Sequence, residues 1–167
     1  MPKANSVALN KQTRSVDGNP GANYWQNRVS YSIKATVDTH QKMLHGSERI
    51  VYFNNSPDSL KKIVIRLYQD LFKKGANRNS LVDIDPRDIT DGMSINRIVI
   101  NNRQISTNPE QNQIQRSGTL MSIPLSEKLQ PHGKSEIEID WTFHIPEHSL
   151  IRMGAIDSTT IFLGQWY

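Results

Sequence analysis

The chain has 167 residues, 36% of them hydrophobic, and a formal net charge of +4, which suits one domain with a modest core. It contains no cysteine, so disulfide bonds and thiolate metal sites are excluded. No apolar run reaches the roughly 20 residues of a membrane helix, and the basic residues are scattered rather than clustered as at a nucleic-acid surface. We therefore expect no membrane segment and no nucleic-acid binding.

Residues 1–22 are rich in Asn, Lys, Ser and Gly and end at a Pro-Gly turn, a composition that predicts a flexible, disordered leader. No signal peptide is recognisable in them. The compartment stays unknown, with export to the periplasm or the extracellular space slightly favoured over the cytoplasm.

From residue 28 onward, apolar and polar residues alternate with period two, which predicts β-strands. The first strand places five apolar side chains on one face: Val29, Tyr31, Ile33, Ala35 and Val37. Polar residues 39–42 predict a hairpin, and the return strand runs from 43 to about 54. Glu48 interrupts the apolar face of that return strand.

Further strands are predicted over 60–68, 95–100, 103–105, 120–125, 135–144 and 160–167, separated by a long loop at 69–93, a polar loop at 108–118 and turns at 101–102 and 130–133. The 135–144 segment alternates most regularly and places Trp141 on its buried face. No segment has a convincing 3.6-residue period. The sequence therefore predicts an all-β, mostly antiparallel, two-sheet β-sandwich with almost no helix.

One segment, His144-Ile-Pro-Glu147-His148, matches the inverted zinc motif H-x-x-E-H. That motif needs both histidines on one helical face, whereas Pro146 disfavours a helix here. We expect a polar strand exit at this place.

Four aspartates between residues 83 and 91, followed by Gly92, suggest a calcium loop. Arg87 and Asp88 occupy the fifth and sixth places, where an EF-hand needs a ligand and a glycine. A solvated acidic loop is the favoured interpretation. Similarly, Glu136, Glu138 and Asp140 alternate along a strand and predict a solvent-facing row rather than an acid–base pair.

Seven segments between residues 24 and 167 follow one another in an order shared with a known family: 31–38, 45–52, 60–67, 95–105, 120–133, 137–146 and 164–167. Within them, Ile-Asn-Arg-Ile-Val-Ile-Asn-Asn at 95–102 is similar to the family's I-x-x-V-x-V-N-G stretch. The 120–133 segment resembles I-x-L-x-x-x-L-x-x-G. Together these segments resemble the N-terminal domain of the aminopeptidase-N-like zinc metallopeptidases, the family that includes leukotriene hydrolase.

This resemblance implies a saddle-like, non-catalytic β-sandwich over residues 23–167. In the family, H-E-x-x-H holds the zinc and G-x-M-E-N binds the substrate; neither motif occurs in this sequence. The zinc would thus lie in a catalytic domain of a longer parent chain, and we expect no cofactor, metal or catalytic residue here. The implied partners are that catalytic domain and a peptide substrate. Gln165 and Tyr167 are the candidates to line the pocket for the substrate's N-terminus.

Residues 159–167 form an apolar, aromatic ending, which leads us to expect the front part of a longer protein and self-association through this C-terminal strand. The alternative is a stand-alone binding or adhesion sandwich, for example one that binds carbohydrate. Its discriminating feature would be a platform of exposed aromatic side chains, for which Tyr24, Trp25, Trp166 and Tyr167 are the candidates.

Overall fold

The computed structural model describes residues 3–78, 83–108, 110–111, 113–149 and 151–164. In these ranges it contains one α-helix, α1 (Lys3–Asn10), and two short 3-10 helices, Tyr68–Phe72 and Pro86–Asp88. The strands are β1 (Arg28–Asp38), β2 (Met43–Phe53), β3 (Leu60–Arg66), β4 (Ser94–Ile100), β5 (Arg103–Ile105), β6 (Gln115–Ser117), β7 (Leu120–Leu129), β8 (Lys134–His144), β9 (Met153–Ala155) and β10 (Ile161–Leu163).

The larger sheet has five strands in the order β1-β2-β8-β4-β5. Its central strand, β8, alternates strictly: Ser135, Ile137, Ile139, Trp141 and Phe143 are buried, and the residues between them are not. This is the period-two pattern read from the sequence, and it places one face of the sheet on the core.

The second sheet has three strands in the order β3-β7-β6, and β9 and β10 form a separate pair. Every strand pairing found among the described residues is antiparallel. Ile63, Met121 and Ile123 of the smaller sheet belong to the same apolar cluster as Ile98 and Ile137 of the larger one. The predicted all-β, two-sheet sandwich is therefore confirmed.

Trp141 is 3% exposed, as its place on the apolar face of β8 predicts. It lies opposite Gly46 of β2, and a Cβ on that glycine would come within 2.1 Å of the Trp141 ring. The glycine therefore provides the space in which the indole packs against the sheet.

The predicted tight turn between β4 and β5 is also present. Asn101 and Asn102 both have positive φ, 49° and 65°, the combination that a two-residue type I′ hairpin requires and that asparagine tolerates. This turn fixes the register in which Ile98 pairs with Ile105.

The apolar face of β1 is less covered than its alternation predicts. Val29 is 36%, Tyr31 55% and Val37 38% exposed, whereas Ile33 is half-buried. The cause is the unequal width of the sheets, because a three-stranded layer cannot cover all of a five-stranded one. An apolar surface is consequently left along the β1 edge.

The expected disordered leader contains secondary structure. Residues 3–10 form α1, in a segment whose Ala8 and Leu9 are good helix formers. The following residues fold back, with the Gly21 amide donating to the Thr13 carbonyl at 3.2 Å. The boundary between a leader and a domain at 22/23 remains a prediction.

Two short strands were not predicted: β6 lies in the predicted polar loop at 108–118, and β9 lies in a segment for which no element was predicted. Each has three residues, too few for an alternation to be recognised. None of the described helices has the length and hydrophobicity to span a lipid bilayer.

Candidate functional site

An apolar groove opens between the two sheets, on the side where β1 and β3 are the edge strands. Its volume is about 580 Å³. It is lined by residues of β1 to β3, by the segment after β3, and by the buried face of β8; the aromatic members are Tyr31, Tyr52, Tyr68 and Trp141. A concave, mostly apolar cleft of this size is typical of small-molecule sites.

Among the residues that the structure describes, Glu48 is the only carboxylate that lines this groove. It stands on β2 between Ile33 of β1 and Ile139 of β8. Burial raises the pKa of the Glu48 carboxyl to about 6, because a low-polarity environment disfavours the charged form. Among the described residues, no basic side chain lies within ion-pair distance of it.

The H-x-x-E-H segment leaves β8 as an irregular turn, not a helix, in agreement with the predicted strand exit. Asp88 holds this turn, since its carboxylate accepts the backbone amides of Glu147 and His148 at 2.9 Å each, and also that of Ser149. The His148 Nδ1 lies 3.2 Å from the same carboxylate. Burial would raise the pKa of Asp88, but these donors outweigh burial and keep it below its usual value.

The zinc interpretation of that motif does not fit the described residues. They contain no group of three or more His, Asp or Glu side chains arranged to hold a metal ion. His148 faces Asp88, and His144 ends an extended strand. The prediction that this chain carries no stoichiometric zinc is left to metal analysis.

The aspartates of the 83–91 segment do not converge on one point. Asp85 caps the second 3-10 helix and binds the Arg87 side chain, at 2.9 Å to Nε and 2.7 Å to a terminal nitrogen. These bonds to Arg87 lower the pKa of Asp85. Asp88 is used by the turn after β8, so the arrangement is that of an Asx-turn loop rather than a calcium site.

The long 69–93 loop, whose role the sequence leaves open, is fixed by an ion pair between a buried aspartate and a partly exposed arginine. Asp70 is 1% exposed, and its two carboxylate oxygens each lie 2.7 Å from the same terminal nitrogen of Arg116 in β6. Asp70 also accepts the Met93 amide at 2.9 Å, and Arg116 donates to the Met93 carbonyl. A Cβ on Gly92 would lie 2.4 Å from Asp70, so the loop closes tightly on this carboxylate.

The acidic row on the outer face of β8 forms ion pairs across the sheet. Arg49 binds Glu136, and Arg97 binds Glu138 at 2.8 Å and Asp140 at 3.6 Å. All five side chains are partly exposed, which confirms a solvent-facing row.

The predicted pocket residues, Gln165 and Tyr167, lie outside the described residues. The structure describes the chain as far as Gly164, whose amide donates to the Arg152 carbonyl at 2.8 Å. Immediately before it, β10 pairs with β9, with Ile161 opposite Ala155. Phe162, in the middle of β10, is 37% exposed.

Sequence reasoning missed the groove and the Asp70–Arg116 pair. Period-two alternation shows which face of a strand is apolar, but not how much of that face a second sheet covers. The one available signal for the groove was Glu48 standing within an apolar face.

Comparison with known proteins found no matching family profile and no matching curated protein. Among solved structures, the chain is similar to a mutant M1 zinc metallopeptidase from Deinococcus radiodurans bound to a Tyr-Ser-Ala substrate. The TM-score is 0.46 and the identity 11%, over 77% of this chain and 23% of that enzyme. A second structure of the mutant enzyme gives the same score and identity over 78% and 23%. The chain thus spans about a quarter of the length of these enzymes.

Proposed function

We propose that this chain is the N-terminal β-sandwich domain of a longer zinc metallopeptidase of the aminopeptidase-N-like family. In this role it performs no chemistry itself. It covers the catalytic domain and helps to shape the pocket that receives the N-terminus of a peptide. The zinc of the parent enzyme would polarise the scissile carbonyl and activate water, with ligands that belong to the missing catalytic domain.

The observation that carries the proposal is the agreement between the seven family-like segments and the strands. The 95–105 segment forms β4, a two-asparagine turn and β5. The 120–133 segment forms β7 and the turn after it, and the 137–146 segment forms most of β8 and its exit. Each family-like segment within the described ranges therefore supplies a structural element in the order that the resemblance implies.

The proposal is tested by the reading frame beyond Tyr167. We expect it to continue and to encode H-E-x-x-H, a more distant Glu as the third zinc ligand, and a G-x-M-E-N substrate motif. A stop codon directly after Tyr167, or a continuation without a zinc motif, would refute the assignment.

The pocket role of Gln165 and Tyr167 is a separate part of the proposal. In the full-length enzyme, Gln165→Ala and Tyr167→Phe should raise KM for short peptides with a free N-terminus, while the zinc content stays unchanged. Gln104→Ala is the matched control, because Gln104 is an exposed glutamine on β5. Equal KM values for all three variants and the unmodified enzyme would show that neither Gln165 nor Tyr167 lines the pocket.

The alternative of a stand-alone binding module has one supporting observation. Tyr24 and Trp25 are 53% and 42% exposed, and exposed aromatic rings can stack on sugars. A glycan-array screen with Trp25→Ala as the control would detect such a module. Selective, Trp25-dependent binding to a carbohydrate would favour this alternative over the enzyme domain.

A further inference from the structure

We propose that the groove between β1, β2 and β3 binds a small amphiphilic cation, namely an organic amine with an alkyl or aryl body, whose ammonium group pairs with Glu48. This site is independent of the proposed peptidase role, and nothing in that role uses Glu48.

The lining of the groove matches the body of such a ligand. Apolar side chains from both sheets form its walls, including Ile50 and Ile65. Trp141 closes the bottom, and Tyr31, which is 55% exposed, stands at the mouth. Aromatic faces attract ammonium groups in addition to providing apolar contact, so the aromatic residues suit both parts of the molecule.

The Glu48 carboxylate decides the charge of the ligand group that binds beside it. Glu48 carries a carboxylate within an apolar wall, and no described side chain forms an ion pair with it. An unpaired carboxylate in such surroundings is unfavourable, and a bound cation would compensate it. A ligand that is only apolar would leave this charge uncompensated, and an anionic group beside Glu48 would add a second negative charge to the same apolar wall.

Other titratable or charged groups also line the groove: Tyr31 from β1, Tyr52 from β2, Lys62 and Arg66 from β3, and Tyr68. Lys62 and Arg66 are exposed at the rim, and the Arg66 guanidinium lies 5.7 Å from the centre of the Tyr68 ring. No histidine is among the described lining residues. Glu48 is therefore the lining group expected to change charge between pH 5 and pH 8.

The probes are octylammonium, octanol and octanoate, which share one alkyl chain and differ in charge. Isothermal titration calorimetry on the 167-residue chain at pH 8 should give a dissociation constant for octylammonium about tenfold lower than for octanol, with octanoate the weakest. At pH 5 the preference for octylammonium over octanol should fall to about twofold or less, because Glu48 is then mostly protonated. This pH comparison needs no variant.

Two variants locate the site. Glu48→Gln keeps the shape of the side chain and should abolish the preference for octylammonium at pH 8, whereas Glu127→Gln, at an exposed carboxylate of β7, should keep it. Tyr31→Ala should weaken octylammonium binding several-fold, because it removes an aromatic wall at the mouth of the groove.

Three results would overturn the proposal: no saturable octylammonium binding up to about 10 mM, a preference that survives Glu48→Gln, or binding that Tyr31→Ala does not weaken. None of them would affect the peptidase assignment, which is tested by the downstream reading frame.

Discussion

At the scale of a single residue, the sequence pattern predicts the packing best at Trp141, whose place in the alternation of β8 puts it in the core of the sandwich. It is 3% exposed and lies opposite Gly46. Replacing a buried Trp by Ala typically costs about 3–5 kcal/mol, from lost transfer energy and the cavity that remains. We predict that Trp141→Ala lowers the free energy of unfolding by this amount, measured by urea denaturation.

Gly46→Ala provides the matched test of the contact. Alone it should also destabilise strongly, because the added Cβ meets the indole ring at 2.1 Å. In the Trp141→Ala background the same change should cost far less, because the cavity can accept the methyl group. Additive costs in the double variant would show that the two residues do not share this contact.

The Asp70–Arg116 pair gives a second prediction. Arg116→Met leaves the buried Asp70 carboxylate without its charged partner. Because Arg116 is itself partly exposed, we expect a cost of about 1.5–3 kcal/mol, the range of a hydrogen bond to a charged group. Arg97→Met, which breaks an exposed pair with Glu138, should cost less than about 1 kcal/mol. Urea denaturation of both variants measures the difference, and equal costs would contradict a structural role for the Asp70–Arg116 pair.

Glu48 gives a pH-dependent prediction. Its carboxyl has a pKa of about 6 in the folded chain, above its ordinary value of 4.5, so the folded state binds this proton more tightly. The contribution of Glu48 to the free energy of unfolding is therefore at its most favourable below pH 4.5, and this contribution is lost as the pH rises through 6. We expect Glu48→Gln to be more stable than the unmodified chain by about 1 kcal/mol at pH 8, after allowing for partial exposure.

The control for this prediction is the same comparison at pH 4, where the gain from Glu48→Gln should disappear. Thermal denaturation at both pH values is the measurement. If the difference in stability between Glu48→Gln and the unmodified chain were the same at pH 4 and pH 8, Glu48 would not be desolvated in the folded state.

The sequence alone predicts the structural role of some of these residues but not of others. The burial of Trp141 follows from its place in the alternation of one strand. The pairing of Asp70 with Arg116 joins positions 46 apart in the chain, from a long loop and a three-residue strand. No local pattern contains that information.

At the scale of elements, the long strands were predictable because each contains several alternations. β8 and the β1–β2 hairpin are examples, and their observed bounds differ from the prediction by a residue or two. The coverage of β1 was not predictable, since it depends on the width of the opposite sheet. The short strands β6 and β9 were missed because three residues contain too little pattern.

A prediction at the scale of elements concerns self-association through β10. It is an edge element with Phe162 exposed, and edge strands with apolar side chains recruit other chains. We predict concentration-dependent self-association, measured by sedimentation velocity, which weakens when the chain is truncated before Phe162 or carries Trp166→Glu.

The control for the association is Val16→Glu, at a residue that is 90% exposed in the leader. This change should leave the association intact. A chain that stays monomeric at all concentrations, or an association equally sensitive to Val16→Glu, would contradict a role for the C-terminal strand.

At the scale of the whole molecule, composition and strand spacing were enough to predict an all-β sandwich. The candidate site could be predicted from the sequence only in part. The sequence marked Glu48 as unusual, but the groove exists because strands from two sheets leave a space between β1 and β3. The pocket residues Gln165 and Tyr167 rest on the family resemblance and not on a described geometry.

Metal analysis of the full-length product of this reading frame, compared with the 167-residue chain, tests the central claim most directly. After washing with a weak chelator, the account predicts one zinc per full-length chain and none in the 167-residue chain. It also predicts aminopeptidase activity in the full-length protein alone. A full-length product without zinc, or zinc bound by the 167-residue chain and lost on His144→Ala, would contradict the account.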